Sequence, residues 1–126
     1  GFVSRYDSNG NFVTAISIGG IGGNNTARFN SIEVHNNSVY VAGLVYGTVD
    51  LDPGALTNNI TVQGFVGILL KFDYQLNPNW HKLIISTNGQ SEIYQIRIKS
   101  NQFLNDKLQV GNTSASSRIV DFIKMI

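Results

Sequence analysis

Apolar residues along this chain recur mostly at every second position, or in short unbroken runs bounded by Gly, Asn and Asp. That period belongs to extended chain, and no stretch sustains the 3.6-residue period of an amphipathic helix. The pattern predicts strands over Phe2 to Tyr6 and Phe12 to Ile18, joined through Asp7-Ser8-Asn9-Gly10-Asn11. The Asn-Gly pair there is a strong hairpin signal. Further strands are expected over Phe29 to His35 and Ser38 to Tyr46, turned by Asn36-Asn37. Ile60 to Val62 reads as a short strand and Gly64 to Phe72 as a strongly apolar one. Trp80 to Ile85, Ile93 to Lys99, Lys107 to Gly111 and Ile119 to Met125 complete the series. Gly19 to Asn25 is expected to be a loop, and Gly47 to Gly54 a short extended piece ending in a Pro-Gly turn. The fold class is all-β.

The chain also repeats itself. Phe2-Val3-Ser4-Arg5-Tyr6-Asp7 lines up with Ile68-Leu69-Leu70-Lys71-Phe72-Asp73 at an offset of 66 residues. Each copy carries a base, an aromatic and then Asp. Gly10-Asn11 aligns with Leu76-Asn77. Between them, Ser31 to His35 matches Gln95 to Lys99 at an offset of 64, and Val41-Ala42-Gly43 matches Gln109-Val110-Gly111 after an insertion around Phe103 to Asp106. Phe122 to Ile126 resembles the start of the unit again.

These residues resemble a bacterial β-propeller repeat family known as SBBP, for seven-bladed β-propeller. The resemblance rests on Phe2 to Asn11, on Gly19-Gly20, on Val39-Tyr40-Val41-Ala42-Gly43 and on Gly47-Thr48-Val49-Asp50-Leu51-Asp52-Pro53-Gly54. Trp80 stands where the family carries a Trp, whereas the earlier copy has Thr14. Residues 1–85 carry the likeness well; in 86–126 the Gly-Thr-Val-Asp stretch is missing. The resemblance implies a partial propeller of about two four-stranded antiparallel blades. Residues 1–28 would hold the outer strands of one blade, 29–85 a full blade, and 86–126 part of the next. It further implies a secreted or cell-surface bacterial protein. Blades need neighbours on both faces, so the expected partners are the remaining blades of a longer parent chain or copies of the same chain. The opening at Gly1 followed by Phe2-Val3, and the apolar ending Ile119 to Ile126, read as cuts within a larger structure.

Composition narrows the function. With 126 residues, 42% of them hydrophobic, the chain can bury a core of its own. Only 13% of residues are charged and the net charge is +1. Nucleic-acid binding concentrates far more Lys and Arg. No run of about 20 apolar residues exists to span a membrane as a helix. Cysteine is absent, so disulfides and Cys-ligated metals are excluded, and the redox compartment stays open.

The sharpest polar motif is Asp50-x-Asp52-Pro53-Gly54. Two carboxylates spaced so, ahead of a turn, can ligate Ca²⁺ with help from backbone carbonyls. The preferred reading is structural: Asp50 and Asp52 share a face of extended chain, and Asp52 caps turn amides. Asp7 and Asp73 recur at one phase and are expected to make Asx-type turn bonds. His35 and His81 lack any metal-binding spacing. Gly19-Gly20-Ile21-Gly22-Gly23 precedes a strand rather than a helix, which removes a phosphate-loop reading. Tyr40 and Trp80 can stack on a sugar or pack between sheets, and packing is preferred. No nucleophile motif is present. The expected function is therefore a non-catalytic module serving as scaffold or contacting a protein or glycan, with no cofactor. The alternatives are part of a propeller enzyme whose site at the central channel draws on residues such as Glu33, Arg97 and Asp50, or a short chain that closes a ring by self-association.

Overall fold

The computed structural model describes residues 1–87, 90–99 and 107–113. The expected strand Ile119 to Met125 and the insertion around Phe103 to Asp106 lie outside the described residues. Within them the chain is all β, antiparallel throughout and without a helix. Nine strands form: β1 (Phe2–Tyr6), β2 (Phe12–Ser17), β3 (Gly19–Gly20), β4 (Thr26–His35), β5 (Ser38–Asp50), β6 (Asn59–Asp73), β7 (Pro78–Ile84), β8 (Ile93–Lys99) and β9 (Lys107–Thr113). β1 pairs with β2, β8 with β9, and β4-β5-β6-β7 make a four-lane meander, with β3 continuing the β4 lane beside the far end of β5.

Several elements differ from the expectation. The Gly47-to-Asp50 stretch is strand, because β5 runs on past a bulge between Val45 and Gly47 and pairs Gly47 with Val62 and Asp50 with Asn59. Gly47 accommodates this with φ 72, a left-handed conformation that glycine adopts freely. The two expected pieces Ile60–Val62 and Gly64–Phe72 form the one strand β6, since Gly64 at φ 79 bends the strand without ending it. Gly19-Gly20 is paired rather than a free loop. β4 begins at Thr26, three residues ahead of the expected Phe29. The Asn36-Asn37 turn has both φ values positive, 45 and 56, as a two-residue hairpin with matching twist requires.

The central strands of the meander, β5 and β6, are buried on both faces over Val39–Val45 and Val66–Leu70. Successive side chains of a strand point to opposite sides. Val39, Val41 and Val45 of β5, with Ile68, Leu70 and Phe72 of β6, face a core that Val3, Ile16 and Ile18 of the first hairpin complete. Tyr40, Ala42, Leu69 and Ile84 face the other way, against Ile93 and Ile96 of β8. Three sheets are therefore stacked in series: the β1–β2 hairpin, the meander, the β8–β9 hairpin.

Candidate functional site

The aspartates singled out in the sequence stand at turns, whereas Glu33, His81 and Arg97 lie within strands, and the turns of Asp7 and Asp73 are built alike. In the turn after β1, Asp7 Oδ1 accepts from the Asn9 and Asn11 backbone N–H groups, each at 2.8 Å, and Oδ2 from the Asn11 side-chain amide at 3.0 Å. In the turn after β6, Asp73 Oδ1 accepts from Gln75 N at 2.8 Å and Asn77 N at 2.9 Å, and Oδ2 from the Asn77 amide at 2.9 Å. The Asn side-chain bonds first, and the Asn backbone bonds next, hold both carboxyls below the ordinary aspartate value. The strand registers agree as well. Arg5 opposes Thr14 and Tyr6 opposes Phe12 across a bulge, as Lys71 opposes Trp80 and Phe72 opposes Pro78.

The packing between sheets shows the same correspondence. A Cβ on Gly1 would press into the Phe29 ring at 2.6 Å, and one on Gly67 would lie 3.3 Å from the Ile93 side chain. Gly1 N donates to the Ala27 carbonyl at 2.8 Å, and Gly67 N to Ser91 Oγ at 2.9 Å. Gly67 stands 66 residues after Gly1, and Ser91 and Ile93 stand 64 after Ala27 and Phe29. At this glycine the first hairpin meets the meander as the meander meets the last hairpin, whereas the close approach of β8 to β4 and β5 has no counterpart in the first hairpin. For the later pairing, Ile32 opposes Val41 and Ile96 opposes Val110. This register sets Val110, not Gln109, level with Val41 and corrects the sequence alignment by one residue.

The Asp50 motif closes the β5–β6 hairpin. Asp50 Oδ1 accepts from Asp52 N at 3.0 Å and Asn58 N at 2.9 Å, and Asp52 Oδ1 accepts from Gly54 N at 2.7 Å. The Asn58 and Asp52 amides hold the Asp50 carboxyl below its ordinary value. Asp50 ends a strand whereas Asp52 lies in the following loop. Among the described residues no group of three or more His, Asp or Glu stands together to hold a metal ion.

This loop borders a cleft that holds two of the candidate residues, Trp80 and His81. Leu51 and Asn58 form one side and Lys71, Asn79, Trp80 and His81 the other, around about 390 Å³. β7 brings Trp80 and His81 here because it is the outermost strand of the meander. Trp80 is half-buried and its ring lies 6.3 Å from that of Tyr40, so its face is engaged between the sheets. A second cleft, about 330 Å³, holds residues the sequence reading missed: Arg28, Glu92 and Tyr94 beside Phe65. Arg28 and Asn30 both donate to Glu92, tying β4 to the segment before β8. Burial works to raise the Glu92 carboxyl, and the bonds from Arg28, Asn30 and Tyr94 outweigh it, leaving it below the ordinary value. The same bond pushes the Tyr94 hydroxyl up. No local motif signals this cluster, because Arg28 and Asn30 stand 64 and 62 residues before Glu92 and only the stacking of sheets unites them. Neither cleft is lined by Glu33, Arg97 or Asp50.

Comparison of the chain with protein-family models, curated proteins and solved structures returns no match.

Proposed function

We propose that the chain is a segment of a β-propeller, about two blades' worth, acting as a non-catalytic scaffold or binding module of a secreted or cell-surface bacterial protein. One observation carries the architecture: the contact Gly1 makes with Phe29 recurs between Gly67 and Ile93, so one relation stacks both hairpins on the meander. A series of four-stranded meanders packed face to face by one repeated relation is the construction of a propeller. The SBBP resemblance of residues 1–85 supports the same reading, and the extracellular bacterial setting rests on that resemblance alone. The Asp7, Asp73 and Asp50 carboxylates are spent on turn amides, which favours a structural use for all three. A Ca²⁺ ion at Asp50 and Asp52 is secondary in this reading.

Ligand contact is assigned to the Trp80–His81 cleft, where Asn58, Asn79 and Lys71 offer donors and acceptors suited to a glycan or a peptide. Titration against a panel of cell-surface glycans and peptides tests it. Saturable binding weakened by His81→Ala, with melting unchanged, is the expected result. Turnover of a panel member that Asp50→Asn abolishes would overturn the non-catalytic reading.

A further inference from the structure

We propose that the cleft between the meander and the segment leading into β8 binds one neutral pyranose, with a face of the sugar on the Phe65 ring and its hydroxyls meeting Arg28 and Glu92. This cleft shares no lining residue with the one at Trp80 and His81. It is built by β4, β5, β6 and residues 90–94, all within the stacked sheets. The bulge between Val45 and Gly47 makes its aromatic wall. It leaves Tyr46 and Phe65 out of the β5–β6 ladder, side by side, with rings 5.1 Å apart and tilted at 42°. Phe65 is 38% exposed and Tyr46 37%, so the pair offers apolar area beyond what the fold buries. Leu44, itself buried, lines the cleft beside Phe65.

The polar side of the cleft is held in place before any ligand arrives. Ser91 N donates to the Phe65 carbonyl at 2.9 Å, which ties the chain just ahead of Glu92 to the aromatic strand. Arg28 and Asn30 donate to Glu92 Oε1, and the Tyr94 hydroxyl donates to the same carboxylate. Three donors on one carboxylate fix its direction, so a ligand need not order it. The Arg28 side chain stays 58% exposed and carries more N–H groups than its bond to Glu92 uses. Charge then selects the ligand. Arg28 and Glu92 cancel, and an anion or a cation would have to break their pair to bind. A neutral molecule with an apolar face and hydroxyls around its rim suits the ring wall and the polar edge together, and a pyranose is such a molecule. The space, about 330 Å³, lies at the lower end of the roughly 300–1,000 Å³ of ligand clefts, which admits one ring rather than a chain of them. The polar set also departs from the repeat. Glu92 and Tyr94 stand 64 residues after Arg28 and Asn30, so equivalent positions of successive units meet here with unlike side chains. The turn aspartates recur because each copy needs them, whereas a set that changes between copies answers to something other than the shared fold.

NMR titration of the 126-residue chain with the methyl glycosides of glucose, galactose, mannose and N-acetylglucosamine tests this. The expected result is saturable shifts at the Phe65, Ser91 and Glu92 amides with at least one of them. Phe65→Leu keeps apolar bulk and removes the ring, and it should weaken that binding about tenfold with little change in melting. Glu92→Gln should weaken it as well. His81→Ala should leave it unchanged, which separates failure of this site from failure of the Trp80–His81 cleft. No shift at these amides with any of the glycosides, shifts gathered at Asn79 and His81 instead, or binding that Phe65→Leu leaves intact would overturn the assignment.

Discussion

Leu76 occupies the place in its turn that Gly10 occupies in the earlier one: both are left-handed, at φ 70 and 83, and each donates its N–H to the carbonyl of the Asp three residues before it, at 3.0 Å. Glycine takes that conformation freely, whereas a leucine is strained by about 1–2 kcal/mol. The side chain explains why leucine is kept. Leu76 is 2% exposed and completes the core against Phe72. Leu76→Gly should relieve the backbone yet lose the burial, and the lost burial is the larger effect, so a net destabilisation of about 1–3 kcal/mol is expected. Urea unfolding checks it; an unchanged or raised midpoint would contradict the assignment of Leu76 to the core.

The Asp7 and Asp73 carboxyls titrate below the ordinary aspartate value of 3.8. A carboxyl whose pKa is depressed on folding stabilises the fold above the unfolded pKa, and the contribution disappears as pH falls through the folded value. Asp7→Asn with Asp73→Asn should lower the melting temperature at pH 7 by a few degrees. The gap from the unsubstituted chain should close as pH falls from 3.8 through the lowered folded values. A gap that stays constant over that range would show that the carboxylate charge contributes nothing.

Ser91 is 1% exposed; its hydroxyl donates to the Ile84 carbonyl and accepts from Gly67 N at 2.9 Å. Ser91→Ala leaves both backbone groups without that partner inside the seam between meander and last hairpin. The expected cost is about 1–3 kcal/mol. Denaturant titration reads the loss, and amide exchange at Gly67 should accelerate with it. An unaltered Gly67 exchange rate would argue that water reaches this seam.

Much of this was legible in the chain. Period-two patterning marked β1, β2, β8 and the start of β5, and Asp7 with Asp73 marked two turns whose bonds match. Length was the harder quantity. Glycine reads as a break, yet Gly47 and Gly64 sit inside continuous strands because the long β5–β6 ladder absorbs a bulge there. The Gly19-Gly20 pairing escaped notice for the same reason, having no side chains to show a face. The one-residue slip at Val110 arose because β5 and β9 share too few identities to fix an alignment that backbone pairing decides. The Arg28–Glu92 cluster could not be read at all, since it exists only once separate sheets are stacked.

The central claim is that the three sheets are successive members of one radial series. A crystal structure of the protein tests it most directly. The account predicts that a single rotation carries β1–β2 onto β6–β7 and β4–β5 onto β8–β9, with β4 and β8 nearest a common axis. Sheets related by no common rotation, or hairpins folded together into a closed sandwich, would contradict it.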